Sequence, residues 1–129
     1  MPASTFLHTQ LSCTHEDAML VCTWGSAGAV ALRKANPKPI IASQQAWSPS
    51  RDSHPIDSVG AGDTFIAGML YGMVVQKEWT TDERLAFANE LAGRKVYMDG
   101  FTGLGDNIRE SQVWGEKLKV VPTQSPQQG

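Results

Sequence analysis

"IDSVGAGDTFIAGM", residues 56–69, sets a glycine-alanine-glycine turn directly before an acid and an apolar pattern of helical period. Gly60 and Gly62 carry no Cβ, so the backbone there can take left-handed angles and approach a ligand closely. If a helix begins at Asp63, its first N–H groups lack intrahelical partners and converge on one spot. The helix dipole adds partial positive charge at the same place. Such a turn is an anion hole. The segment lacks the Lys-Ser/Thr ending of a P-loop. Phe65 stands where the dinucleotide fingerprint wants a third glycine, so a dinucleotide enzyme fits poorly. An acid cannot itself hold phosphate, because like charges repel. It can accept a proton from an attacking hydroxyl while the amides stabilise the transferring phosphoryl group. The alternative is that Asp63 only caps the helix, as Asp often does.

Working outward, Ile66, Met69, Leu70, Met73 and Val74 recur at three- and four-residue spacing, which predicts a helix over 63–76. Met69, Met73 and Met98 are expected in the core. Thr80 or Thr81, with Glu83 nearby, predicts the cap of a second helix running to about Met98. Its apolar set is Leu85, Phe87, Ala88, Leu91, Ala92 and Val96. Upstream, "MLVCTW" (19–24) is a continuous apolar run that suits a buried strand of a parallel sheet. "GSAG" (25–28) is a turn, and "AVALRK" (29–34) and "IIAS" (40–43) pair as a hairpin across the turn residues "ANPKP". Residues 44–55 read as a loop. Residues 1–18 are expected to be a poorly ordered end or a short helix remnant. "DGFTGLGD" (99–106) is a glycine-rich loop, 107–118 a last amphipathic helix, and "PTQSPQQG" a disordered tail. Strands, glycine turn and helices make an α/β pattern.

Composition narrows the function classes. With 129 residues, 41% hydrophobic and 19% charged, the chain suits one globular domain with a modest core. A net charge of −2 provides no basic footprint for nucleic acid or an anionic membrane. No apolar run reaches the roughly 20 residues of a membrane span. The first residues lack the basic-then-apolar signature of a secretory signal, so a cytoplasmic location is expected. Cys13 and Cys22 form no disulfide framework, and Cys22 reads as a buried thiol. His8, His15 and His54 have no metal-ligand spacing and read as surface residues.

"DSVGAGDTFIAG" resembles the second signature of the ribokinase-like (PfkB) carbohydrate kinases, and most of all their ketohexokinase branch. "LVCTWGSAGAVAL" (20–32) is similar to the strand and turn those kinases place before a hairpin under the adenine. "ELAGRKVYMDGFTGL" (90–104) is similar to their helix and closing Gly-Phe-x-Gly loop. The three segments stand in the family's order over residues 19–104, which is more specific than the glycine turn alone.

The resemblance implies the C-terminal part of a three-layer α/β/α fold with an incomplete sheet. It divides the chain into an end segment (1–18), a partial kinase domain on the nucleotide side (19–105), and a helix with tail (106–129). It implies ATP-dependent phosphoryl transfer to a hydroxyl of a sugar, a ketose such as fructose. Asp63 would be the catalytic base, and Gly60, Ala61 and Gly62 with the Asp63 amide the anion hole. Thr23, Trp24, Gly25, Gly28 and Asn89 would border the nucleotide. Mg2+ would arrive with ATP, and Asp57 matches a signature acid that helps a potassium site in some members. The family's N-terminal half, with its lid, its first glycine signature and most sugar-binding side chains, has no counterpart in the chain. Its Asn-x-x-x-Glu segment has none either. A truncated, poorly active kinase is therefore expected, with a non-catalytic nucleotide-binding fragment or degenerate copy as the alternative.

Overall fold

The short connections between the three apolar runs decide how they pair. In the computed structural model, which describes residues 2–118, β1 (Met19–Thr23), β2 (Ala29–Arg33) and β3 (Ile40–Gln44) form an antiparallel sheet in the order β1-β2-β3. Val21 faces Ala31 in the first pair, and Ala31 faces Ala42 in the second. The hairpin over 29–43 is as expected. The parallel sheet expected around residues 19–24 is not: β1 runs antiparallel to β2 along an edge. A single 3-10 turn, Gly25–Ala27, separates the two strands, and a parallel crossover needs a dozen residues or more. As an edge strand, β1 is half-buried rather than buried, and so is Cys22. Both Cys13 and Cys22 are free thiols.

Side chains alternate across the sheet, so Met19, Val21, Ala29, Ala31 and Ala42 share one face. Against it pack Phe65 and Met69 of α2 (Ala61–Val74) and Leu85 and Ala88 of α3 (Thr81–Val96), which together form the main core. The expected end segment is in part a helix, α1 (Ala3–Gln10), which packs on β1 and β2 with Leu7 buried. A second core of Trp79, Phe87, Ile108 and Trp114 joins α3 to α4 (Leu104–Arg109) and the turns after it. The last helix therefore starts earlier and ends sooner than 107–118, and the tail from residue 119 lies outside the described residues.

The two long helices differ in how their packed faces arise. For α3 the expected set holds in part: Leu85, Phe87 and Ala88 are buried, while Leu91, Ala92 and Val96 are half-buried. Thr80 and Glu83 form a full capping box, with each side chain accepting the other's backbone N–H. For α2 the expected apolar stripe is mostly on the outside: Ile66, Leu70, Met73 and Val74 are exposed and only Met69 is buried. The face that packs is Thr64, Phe65, Gly68, Met69 and Gly72. A Cβ at Gly68 would stand 2.8 Å from Ala88 Cα, and one at Gly72 2.8 Å from Arg84 Cγ. The missing side chains let α3 approach that face closely, and Arg84 crosses over Gly72 to donate to its carbonyl at 2.9 Å.

Candidate active site

Helix α2 begins at Ala61, two residues before Asp63, and its N-cap is Gly60 at φ 80°, in the left-handed region. The cap makes no side-chain hydrogen bond. Asp63 thus lies within the first turn of the helix rather than at its cap, and no partner for its exposed carboxylate is found among the described residues. The N–H groups of Gly62 and Asp63 likewise find no acceptor among the described residues, as expected for the start of a helix. Gly62 faces open space.

The turn is held rigidly. Thr64 donates both its N–H (2.9 Å) and its hydroxyl (2.8 Å) to the Gly60 carbonyl. The Phe101 ring covers Gly60 so closely that a Cβ there would collide with it. Before the turn, the N–H groups of Ile56 and Asp57 both donate to the Val96 carbonyl at the end of α3, at 2.8 and 3.0 Å.

Ala61 and Gly62 open onto a cleft of about 600 Å³. Thr23, Gly25 and Gly28 from the β1–β2 turn form another side, and Asn89 and Gly93 of α3 line it as well. Gly28 is required there: at φ 95° its position is strained for other residues, and a Cβ would run into the Gln44 carbonyl. Asn89 donates to the Gln45 carbonyl at 2.6 Å, tying α3 to the end of β3. Five of the expected nucleotide residues, Thr23, Gly25, Gly28, Gly62 and Asn89, thus meet around one cleft. Gly60 lies behind Gly62, under Phe101. Trp24 is placed elsewhere: it is 45% exposed and borders a separate cavity of about 320 Å³ near the start of α1.

Two aromatic cleft residues escaped the sequence reading. Trp47 and Tyr97 line the cleft edge to face, with ring centroids 6.2 Å apart, and the Arg94 guanidinium lies 4.7 Å above the Trp47 ring. Trp47 rests on Gly93, where a Cβ would stand 2.9 Å from the ring. The only hint in the chain is one large aromatic residue inside a Ser/Pro loop.

Asp57, expected to help a cation site, is engaged by Lys95 and two backbone amides. Its Oδ2 accepts from Lys95 Nζ (3.0 Å) and the Gly100 N–H (3.3 Å), and its Oδ1 from the Val59 N–H (3.0 Å). The hydrogen bond from Lys95, then those from the Val59 and Gly100 amides, hold the Asp57 carboxyl below its ordinary value. Among the described residues no cluster of three or more His, Cys, Asp or Glu is set to hold a metal ion. The described helices include none long and apolar enough to cross a membrane.

The family model for pfkB family carbohydrate kinases matches residues 7–100. Ketohexokinase of Mus musculus is 34% identical over 103 residues, an alignment covering 80% of this chain and 32% of that protein. The chain thus spans about a third of the length of this relative. An α/β architecture with a glycine turn opening α2 beside the cleft, together with a family match over most of the chain, establishes that the protein belongs to the PfkB family of carbohydrate kinases.

Proposed function

We propose that the cleft binds ATP and that the chain carries the nucleotide side of a sugar kinase, with a ketose such as fructose as acceptor. The observation that carries this reading is the meeting of Thr23, Gly25, Gly28 and Asn89 with the orphan amides of the glycine turn around one cleft. The base and ribose of the nucleotide would lie between the β1–β2 turn and α3. The phosphates would reach toward Ala61 and Gly62, where unpaired N–H groups and the helix dipole favour negative charge. Asp63, one residue further and without a hydrogen-bond partner among the described residues, would take the proton of the attacking sugar hydroxyl. The amides stabilise charge on the transferring group while the acid serves the nucleophile, the division that phosphoryl transfer requires. Mg2+ would be held mainly by the phosphates and water.

The test compares the chain with its Asp63→Asn variant. Asp63→Asn should leave ATP affinity within about twofold and lower turnover with fructose by roughly 10² to 10⁴. Unchanged turnover would reject Asp63 as the base.

A second reading rests on the exposed apolar stripe on α2, Ile66, Leu70, Met73 and Val74. In that reading the chain binds ATP without transferring phosphate. Calorimetry with ATP-Mg and an ADP-release assay with fructose on this chain separate the two: binding without release favours the second, and release favours the first.

A further inference from the structure

Lys95 is the largest fully buried side chain among the described residues, and a cation at 0% exposure is rare unless its charge is matched. Its position explains the burial. Nζ donates to the Asp57 carboxylate at 3.0 Å and to the Asp57 carbonyl at 3.1 Å, and it lies 4.9 Å from the Phe101 ring centroid. It therefore joins three segments: the end of α3, the approach to the glycine turn at 56–59, and the loop at 99–103. Asp57 passes the constraint on, because the Val59 and Gly100 amides donate to its two oxygens. Phe101 then closes over Gly60, the N-cap of α2. A neutral side chain of the same length could fill the space, but could not hold the Asp57 carboxylate, the Asp57 carbonyl and the ring together. Desolvating the ammonium costs several kcal/mol before its partners offset it, so the pair contributes geometry more than stability.

We propose that Lys95 is a positioning residue for phosphate binding: through Asp57 and Phe101 it fixes the glycine turn so that the Gly62 and Asp63 amides converge on one point. The proposal rests on the nucleotide reading of the cleft. Lys95 touches neither nucleotide nor sugar. Its effect reaches them through a turn whose donors must be aligned before the ligand arrives, and a displacement near 1 Å at such a site can cost up to roughly a hundredfold.

The experiment compares the whole chain with Lys95→Met and Lys95→Arg in two measurements. Amide hydrogen exchange at Val59 and Gly100 reads the clamp without any ligand. Calorimetry with ATP-Mg reads the consequence. In Lys95→Met, exchange at Val59 and Gly100 should accelerate at least about tenfold while the interior of α3 keeps its protection, and ATP affinity should fall by roughly tenfold or more. Lys95→Arg, which keeps the charge and donors, should recover part of both. If Lys95→Met does not fold, Asp57→Asn takes its place with the same expectations. Folded variants with unchanged exchange, or with faster exchange and unchanged ATP affinity, overturn the proposal. If the wild-type chain binds no ATP, the nucleotide reading fails, and the exchange data still decide whether Lys95 holds the turn.

Discussion

Thr64 grips the Gly60 carbonyl twice, with its backbone N–H at 2.9 Å and its hydroxyl at 2.8 Å. The first bond belongs to any helix. The second is specific to a hydroxyl side chain, and it fixes the peptide that precedes the free amides of the turn. Thr64→Val keeps the shape and removes the hydroxyl, so it should cost about 1 kcal/mol, whereas Thr64→Ser should cost less. Urea unfolding of the three proteins measures this. A Thr64→Val protein as stable as wild type would show that the hydroxyl bond does not hold the turn.

Asp63 offers a contrast. Its carboxylate has no partner among the described residues, and its contribution to the fold is limited to the dipole of the first turn of α2. Asp63→Ala should therefore shift stability by no more than about 1 kcal/mol, the size of a helix-dipole contact. A large loss of stability would mean that Asp63 serves the fold, and would weaken its assignment as a base.

The two helices of the core allow a sharper comparison. Met69 is buried against the sheet while Leu70, its neighbour, is 55% exposed. Met69→Ala should cost roughly 2–5 kcal/mol. Leu70→Ser should stay within about 0.5 kcal/mol. Gly68→Val should cost about 1–3 kcal/mol by forcing α2 away from Ala88. Thermal midpoints of the purified chain test all three. Equal losses at 69 and 70 would contradict the packed face assigned to α2.

The Asp57–Lys95 pair sets an acid dependence. The Asp57 carboxyl is held below its ordinary value of 3.8, so its stabilisation is fully present above that value and is lost as pH falls through the lowered native one. Glu83, lowered by the Thr80 backbone N–H in the capping box, acts in the same direction. Urea midpoints from neutral pH down to strongly acidic pH should fall more steeply for wild type than for Asp57→Asn, and least for Asp57→Asn with Glu83→Gln. Parallel curves would show that neither carboxyl is coupled to folding.

Much of the candidate site was legible in the chain because its parts are local. Glycines before an acid, Thr80 with Glu83, and a Gly-rich turn after an apolar run act over four or five residues, where backbone geometry and capping are decided by neighbours. These features led to the glycine turn, to α3 and its buried face, and to the hairpin of β2 and β3. Ordering of three such segments, rather than any one of them, carried the family resemblance.

What depends on distant contacts had to wait for the tertiary structure. The apolar stripe of α2 suggested the wrong packed face, because the glycines that admit α3 carry no hydrophobic signal. β1 read as a buried parallel strand because apolar content does not say which neighbour a strand will have. The pairing of Asp57 with Lys95 could not be read ahead, because the two lie 38 residues apart in sequence. Trp47 and Tyr97 were invisible until folding brought a loop against α3. The sequence by itself determined the local character of the turn, glycines at the start of a helix with an acid in its first turn. Only the tertiary structure decided what surrounds it, because the cleft walls and the clamp on the turn are built by contacts between segments that local propensity does not link.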